Sequence, residues 1–233
     1  MLKPLVPRGS FRPHEAYPPL TGEEQAIVDR FHELFYSHWQ AGGETISIGW
    51  LGYETQKCAL DLWIFQEIIT ETTPDVIIEC GTYAGGSALF LASICQLLGT
   101  GQVVTIDIEP RPDRPPHPLI TYLEGSSTAD AIIAQVRAIV GQDRRGMVIL
   151  DSNHAQAHVA RELELYAPFV AVGCYLVVED TNIHGHPAYP SYGPGPAEAV
   201  EAFLSTTSAF IVDHARERFL MTLNPSGYLR RVR

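Results

Sequence analysis

The sequence predicts an α/β fold built on a doubly wound, mostly parallel sheet of seven strands, preceded by helices. Short β-branched segments alternate with helical segments along most of the 233 residues, and repeated strand–helix units form parallel sheets with right-handed crossovers. One of the strands runs into a glycine-rich turn that opens a helix, a unit that binds nucleotide-like cofactors. Two closing strands with no helix between them predict one antiparallel strand.

The part of the chain ahead of this alternation is helical. Thr21 is a candidate cap for a helix over about 22–40, whose apolar residues recur at helical spacing. A loop with aromatic residues follows at 44–53, and a second helix covers about 58–70. We therefore expect an extended arm at 1–20, an N-terminal helical region at 21–73 and a cofactor-binding domain at 74–233.

The strand–helix alternation begins after Pro74. Its strands are predicted near 75–80, 102–107, 119–123, 146–151, 174–179, 209–212 and 218–223. Its helices are predicted near 85–98, 127–141, 155–167 and 195–204. Within the arm, residues 5–10 spell a thrombin-type cleavage site and read as a remnant of an expression tag.

Composition narrows the class of protein. The formal net charge is −11, which disfavours a nucleic-acid partner because phosphate binding needs a basic face. The four cysteines are widely spaced in apolar segments and read as buried free thiols. No apolar stretch reaches membrane-spanning length and no signal peptide is apparent, so we expect a cytoplasmic protein with no membrane partner.

The glycine turn after the first strand of the alternation indicates the cofactor. A dinucleotide fingerprint, Gly-x-Gly-x-x-Gly, would place glycine where this chain has Tyr83. S-adenosylmethionine carries no pyrophosphate and tolerates a side chain there, and Glu79 at the strand end could face its cationic methionine moiety. The predicted cofactor-binding residues of the turn are Glu79, Gly81, Thr82, Tyr83, Gly85 and Ser87.

Further cofactor contacts are expected after the next two strands. Asp107 ends the second strand, where an acid can hold both ribose hydroxyls. Ser126 and Ser127 follow the third strand. They could hydrogen-bond the adenine edge or cap the next helix, and we favour capping for one and leave the adenine contact open for the other.

Acidic residues at the ends of two later strands predict a metal site. Asp151 follows one strand, and Glu179 with Asp180 follows the next. Three carboxylates at one sheet edge repel each other unless a cation lies between them, and oxygen ligands select Mg²⁺, with Ca²⁺ or Mn²⁺ as alternatives. The competing interpretation is that such acids cap helices. Asp151 is also expected to contact the cofactor and to take part in catalysis.

His154 is the candidate general base, because it lies three residues after Asp151 and titrates near neutrality. The loop at 182–196 is long for a compact domain and is typical of a lid or binding loop. Its Tyr189 and Tyr192 could stack on a flat substrate, and plain surface coverage is an equally good interpretation.

The sequence resembles the cephalosporin hydroxylase/rhamnosyl O-methyltransferase family. The resemblance rests on the turn at 79–87, on the Trp50-Leu51-Gly52 loop, on Asp151-x-x-His154 with Glu179-Asp180, and on a C-terminal signature at 224–231. It implies a class I methyltransferase fold, Mg²⁺ dependence and O-methylation of a hydroxyl. Part of the family's name suggests a hydroxylase, but the sequence contains no flavin, haem or His-His-carboxylate iron pattern that would support this chemistry.

We expect an S-adenosylmethionine- and Mg²⁺-dependent O-methyltransferase that acts on a hydroxyl of a small molecule, a sugar or natural-product glycoside first. A catechol-type O-methyltransferase is one alternative, and a cofactor-binding accessory protein of a tailoring hydroxylase is another. A nicotinamide oxidoreductase is disfavoured by Tyr83. Aromatic residues in the N-terminal helices suggest self-association into a homo-oligomer.

Overall fold

The computed structural model describes residues 4–11, 18–39, 48–141, 144–190 and 193–233. The helices are α1 (Gly22–Trp39), α2 (Ala59–Thr72), α3 (Gly86–Leu98), α4 (Asp130–Val140), α5 (Gln156–Tyr166) and α6 (Pro196–Thr206). The strands are β1 (Ile48–Trp50), β2 (Tyr53–Thr55), β3 (Val76–Cys80), β4 (Val103–Asp107), β5 (Ile120–Glu124), β6 (Gly146–Leu150), β7 (Tyr175–Val178), β8 (Phe210–Val212) and β9 (Tyr228–Arg231).

The main sheet has seven strands in the order β5-β4-β3-β6-β7-β9-β8. Strands β3 to β7 pair in parallel, and β9 pairs antiparallel with both of its neighbours. The predicted α/β class, the number of strands in the sheet and the single antiparallel strand are therefore confirmed. The strand order reverses at β3, so the carboxyl ends of β3, β4 and β6 meet at a crevice where ligands bind in such sheets.

The two faces of the sheet are covered by different helices because successive strand residues point to opposite sides. Val76 and Ile78 of β3 pack in one cluster with residues of α4, α5 and α6. Ile77, between them, belongs to a second cluster with residues of α2 and α3. All five residues of β3 are buried, which explains why its sequence reads as a continuous apolar run apart from Glu79.

The prediction for the last strand is wrong in position. Residues 218–223 form no strand, and the closing strand β9 lies at Tyr228–Arg231, between β7 and β8. The segment at 218–223 is apolar for another reason. Its Met221 and Leu223 are buried in a small cluster with Tyr36, Cys58 and Ile183, so packing against the N-terminal region, not strand pairing, accounts for the pattern.

The aromatic segment predicted as a loop at 44–53 contains a hairpin. Residues 40–47 lie outside the described residues, and β1 and β2 pair antiparallel after them. Trp50 fixes the hairpin on α3: its ring lies edge-on to Phe90 with centroids 5.0 Å apart, and its indole N–H donates to Ser93 Oγ at 3.2 Å. The hairpin is therefore part of the wall beside the glycine turn.

Helix α1 begins as predicted, with Thr21 as its cap. Thr21 Oγ1 accepts from the Glu24 amide, and the Thr21 amide donates to the Glu24 carboxylate at 2.8 Å, which is a capping box. The apolar side chains Ile27, Phe31 and Leu34 are at least half exposed. No described helix has the length and apolarity needed to cross a membrane.

Asp61 connects α2 to the C-terminal part of the sheet. The fully buried carboxylate accepts hydrogen bonds from Thr222 Oγ1 at 2.6 Å, the Leu223 amide at 2.8 Å and the Tyr228 hydroxyl at 2.8 Å. Burial raises the pKa of Asp61 to about 6, against the lowering effect of these three donors. The stability that the protonated carboxyl contributes is thus full below about pH 4 and is lost as the pH rises through about 6.

We predict that Asp61→Asn becomes more stable relative to the wild type as the pH rises. The amide keeps the shape of the side chain and stays neutral, so it escapes the cost of ionising a buried carboxyl. A difference of two pKa units corresponds to about 3 kcal/mol. Urea unfolding should therefore show that the free energy of unfolding, variant minus wild type, increases by about that amount between pH 4 and pH 7.5. A difference that does not change with pH would contradict the assignment.

Candidate active site at the carboxyl edge of the sheet

The turn after β3 is held against the end of β6. Gly81 has φ +97°, and a Cβ there would lie 1.8 Å from the carbonyl oxygen of Asp151. The Gly81 amide donates to Ile106 O at 2.9 Å, and the Asp151 amide donates to Cys80 O at 2.8 Å. Only glycine fits at this position. Because Gly81 has no side chain, the turn can lie next to Asp151, the first of the predicted metal ligands.

The start of α3 is held against the β2 strand in the same way. A Cβ on Gly86 would lie 2.1 Å from Glu54 O. Gly85 has φ +82°, and Tyr83 also adopts a left-handed conformation with φ +46°. The turn is therefore fixed on one side by β6 and on the other by the N-terminal hairpin.

Asp107, at the end of β4, fixes the turn from a third direction. Its Oδ2 accepts from the Thr82 amide at 3.0 Å and from the Tyr83 amide at 2.7 Å, and Arg114 pairs with the same oxygen at 3.3 Å. Its Oδ1 accepts from the Glu109 amide at 2.9 Å. The predicted ribose acid thus also orders the loop that would surround the cofactor.

Glu79 lies behind the turn. Its side chain is fully buried, and Oε2 accepts a hydrogen bond from Thr105 Oγ1 at 2.6 Å. Burial raises the pKa of Glu79, while Lys57 and hydrogen bonds from Ser87 and Thr105 oppose the shift. Glu79 is not among the described residues that line the cavity, which differs from the expectation that it faces a cofactor.

The two serines after β5 have different partners. Ser126 Oγ lies 3.0 Å from Thr128 Oγ1 and accepts from the Thr128 amide at 3.4 Å, so it orders the start of the connection to α4. Ser127 Oγ lies 3.2 Å from His158 Nε2. Both serines face the cavity, and Ser126 is the one whose local bonds fit a capping role.

At the ends of β6 and β7, two acids and a histidine come together. His154 Nε2 lies 3.4 Å from Asp151 Oδ1 and 3.5 Å from Asp180 Oδ2. One ligand atom from each of the three residues fits within 4.8 Å of the others, which makes them a candidate metal-binding group among the described residues. Asp180 sits at φ +55°, and its amide donates to Asn224 Oδ1 at 3.1 Å. A strained conformation of this kind is common at functional positions.

The close carboxylates control the protonation of His154. Burial acts to lower the pKa of His154, but Asp180 and Asp151 outweigh it and raise the pKa to about 9. Burial also acts to raise the pKa of Asp151, but Lys57 and His154 reverse that effect and lower it. In the chain alone, His154 therefore carries a proton at neutral pH.

Lys57 lies between Asp151 and Glu179 and is not among the residues predicted for the site from the sequence. Its ammonium forms an ion pair with Asp151 Oδ2 and lies 2.8 Å from Glu179 Oε1. Burial acts to lower the pKa of Lys57, but the two carboxylates outweigh it and keep the amine charged. Burial raises the pKa of Glu179, and Lys57 opposes that shift. The available signal was a lysine beside Cys58, just before a helix with a mostly apolar sequence.

One cavity of about 760 Å³ connects the turn to this acidic cluster. The predicted site residues that line it are Gly81, Thr82, Tyr83, Ser87, Asp107, Ser126, Ser127, Asp151, His154 and Asp180. Gly85 and Glu179 are not among its described lining residues, and Lys57 is. Residues from five separate parts of the sequence thus meet at one edge of the sheet.

A second cavity of about 470 Å³ adjoins the first through Tyr36 of α1, which lines both. Tyr189 of the predicted binding loop lines the second cavity, and its ring lies edge-on to Tyr36 with centroids 5.3 Å apart. Tyr192 of the same loop lies outside the described residues.

Comparisons with known proteins identify the family of the chain. The family model described as "Rhamnosyl O-methyltransferase/CmcI" matches residues 44–232. A rhamnosyl O-methyltransferase of Mycobacterium bovis is 37% identical over 213 residues, which cover 88% of this chain and 84% of the relative. That of Mycobacterium leprae is 36% identical over 210 residues, covering 88% and 90%.

Solved structures show the same fold. A CmcI structure with Mg and SAM aligns with a TM-score of 0.62 at 19% identity, over 80% of this chain and 77% of that chain. A CmcI apo-structure aligns with a TM-score of 0.61 at 21% identity, over 80% and 76%. Because the family model covers most of the sequence and the mycobacterial relatives are more than one-third identical, the chain belongs to the rhamnosyl O-methyltransferase/CmcI family and is an S-adenosylmethionine-dependent O-methyltransferase.

Proposed function

We propose that the protein uses S-adenosylmethionine and Mg²⁺ to methylate a hydroxyl group of a sugar, carried on a small molecule such as a natural-product glycoside. The observation that carries the proposal is the single cavity in which the glycine turn and the Asp151–His154–Asp180 cluster meet. Its volume of about 760 Å³ lies within the range of pockets that hold small molecules. The names of the mycobacterial relatives support a sugar as acceptor.

The cofactor is proposed to lie along the turn, with its ribose at Asp107 and its adenine near Ser126 and Ser127. Asp107 Oδ1 accepts one hydrogen bond, from the Glu109 amide. A carboxylate oxygen has two acceptor sites, so this oxygen can also accept from a ribose hydroxyl. Glu79 is proposed to support the turn from behind, through Ser87 and Thr105, without touching the cofactor.

The residues at the strand ends fit a divalent cation. Asp151 and Asp180 present oxygen atoms to the cavity, which suits Mg²⁺, with Mn²⁺ or Ca²⁺ as alternatives. We propose that Asp151 and Asp180 hold the ion, with Glu179 behind them beside Lys57. When bound, the ion would supply positive charge that acidifies the acceptor hydroxyl and offsets the two carboxylates around His154.

His154 is proposed to take the proton of the acceptor hydroxyl. The side chain faces the cavity and is about one-third exposed, so a substrate can reach it. The cofactor supplies a methyl group on a sulfonium. A carbon–oxygen bond forms as the carbon–sulfur bond breaks, and the hydroxyl proton passes to His154. The chain accelerates this displacement by holding the hydroxyl in line and by stabilising its developing negative charge.

The rest of the acceptor is proposed to extend toward the second cavity. Tyr36 borders both cavities, and Tyr189 brings the 182–196 loop to the same place. Aromatic rings offer flat apolar surfaces on which the C–H face of a sugar can pack. The second cavity lies between α1 and residues 188–190, and we propose that it gives room for the group that carries the sugar.

Replacing Asp151 should affect turnover far more than cofactor affinity. Asp151→Ala removes one metal ligand while leaving Asp107 and the serines in place, so we expect kcat to fall by about a hundredfold or more. The dissociation constant for S-adenosylmethionine, measured by calorimetry, should change by less than about threefold.

Two companion variants complete the test of Asp151. Asp180→Asn removes the other proposed ligand and should have a similar effect on kcat. Asp130→Ala, at an exposed acid in the first turn of α4, is the matched control and should leave kcat unchanged. A loss of cofactor affinity as large as the loss of turnover in Asp151→Ala would contradict the division of roles.

Removal of divalent cations should stop methyl transfer. After dialysis against a chelator, we expect cofactor consumption with deoxysugar glycosides to fall to background and to return when Mg²⁺ is added, with Ca²⁺ and Mn²⁺ tested in parallel. A full rate after chelation would show that the metal role is wrong. The same screen includes catechols, and a strong preference for them over the glycosides would overturn the proposed acceptor.

His154→Ala should lower kcat about 10²- to 10⁴-fold, the usual contribution of a general base, and added imidazole should restore part of the rate. Metal affinity should not fall, because the proposed ligands are the two aspartates. His214→Ala, at an exposed histidine remote in sequence from the cluster, serves as the control. A loss of metal affinity that matches the loss of rate would instead make His154 a ligand.

A further inference from the structure

We infer that Lys57 is a positioning residue of the metal site, an internal cation that shares Asp151 with the divalent ion and has Glu179 as a counter-charge. The inference rests on the proposed function, since it concerns the same site. Lys57 lines the main cavity yet its side chain is only 2% exposed. Its ammonium lies between carboxylates from the ends of two neighbouring strands, β6 and β7.

The two carboxylate oxygens of Asp151 have different partners. Oδ2 pairs with Lys57, and Oδ1 faces His154 at 3.4 Å. The ammonium thereby sets the rotation of the carboxylate and leaves Oδ1 beside His154, in the group whose ligand atoms lie within 4.8 Å of one another. An aspartate without this partner could turn freely about its last bond, so Lys57 keeps a ligand atom in place before any cation arrives.

The negative charge of the three acids is a second reason to assign this role to Lys57. Asp151, Glu179 and Asp180 would together carry three negative charges at one sheet edge, and their mutual repulsion needs compensation when they are buried. Lys57 supplies one positive charge beside two of the three carboxylates, which reduces their repulsion and still leaves the group anionic enough to attract a divalent ion. The Glu179 contact has ion-pair distance without hydrogen-bond geometry, so Glu179 acts mainly as a counter-charge.

The segments on either side of Lys57 are both anchored, which fixes the position of its backbone. It follows β2, whose Glu54 carbonyl touches the start of α3, and it precedes α2, which Asp61 anchors to the C-terminal segment. The backbone that carries the ammonium is thus held by the segment before it and by the segment after it. Because the ammonium and the proposed metal ion both interact with Asp151, the charge of Lys57 should weaken metal binding.

The test compares Lys57→Met with the wild type by titration of Mn²⁺, followed by electron paramagnetic resonance of the free ion, with Mg²⁺ as competitor. We expect Lys57→Met to bind Mn²⁺ about tenfold more tightly, because a nearby positive charge is gone. We also expect kcat to fall about tenfold or more at saturating metal, because Asp151 is no longer oriented. Lys57→Arg should retain much of the wild-type kcat.

A double variant separates this role from plain structural support. In Lys57→Met with Glu179→Gln the two opposite charges are removed together, so Mn²⁺ affinity should return close to that of the wild type. If Lys57→Met binds Mn²⁺ equally or more weakly while the wild type binds it, the inference is overturned and the proposed metal site stands. If neither protein binds Mn²⁺, both the inference and the metal part of the proposed function fail.

A measurement on the unaltered residue covers the case in which Lys57→Met does not fold. Lys57 and Lys3 are the only lysines in the sequence, so lysine labelled with ¹⁵N gives two side-chain signals, and Lys3→Arg identifies that of Lys57. Addition of Mg²⁺ should shift the Lys57 signal. A Lys57 signal that stays in place while Mg²⁺ binds would overturn the inference.

Discussion

The compensation of buried negative charge at the carboxyl ends of β6 and β7 is the interaction on which the rest of the site depends. Asp151, Glu179 and Asp180 lie together where the crevice of the sheet excludes much of the solvent, and a buried carboxylate without a partner costs several kcal/mol. The chain itself supplies two cationic groups there. Lys57 pairs with Asp151 and Glu179, and His154 lies within 3.5 Å of Asp151 and Asp180. The acidic edge can therefore form during folding.

Close backbone contacts couple the two ends of the cavity. Gly81 lies so near Asp151 that a Cβ would meet its carbonyl oxygen, and Gly86 lies equally near Glu54. The glycine turn, the end of β6 at Asp151 and the N-terminal hairpin thus have fixed relative positions. Since methyl transfer needs donor and acceptor atoms in line within a few tenths of an ångström, this rigidity is what positioning catalysis requires.

The sheet and its acidic edge could be predicted from the sequence because their signals are local. Each buried parallel strand is a short apolar run, and parallel topology brings the residues after the strands to one edge, which is why the common location of Asp107, Asp151 and Asp180 could be predicted. The position of β9 and the burial of Glu79 were missed. Both depend on contacts between distant segments, such as Leu223 against the N-terminal region. The sequence does not distinguish an apolar residue in a strand from one in a packed loop, or a buried acid from one that faces a cavity.

Lys57 was missed for the same reason, and its location changes how the N-terminal region is understood. A lysine ahead of a helix is usually a solvated charge, and nothing in residues 50–60 indicates acids from β6 and β7. In the structure this segment supplies the hairpin that supports the turn, the ammonium between the acids and, at Asp61, the anchor to the C-terminal strand region. Residues 48–72 therefore act as the second half of the active-site wall, because they supply the cation that compensates Glu179 and Asp151, whereas the sheet edge itself supplies only His154.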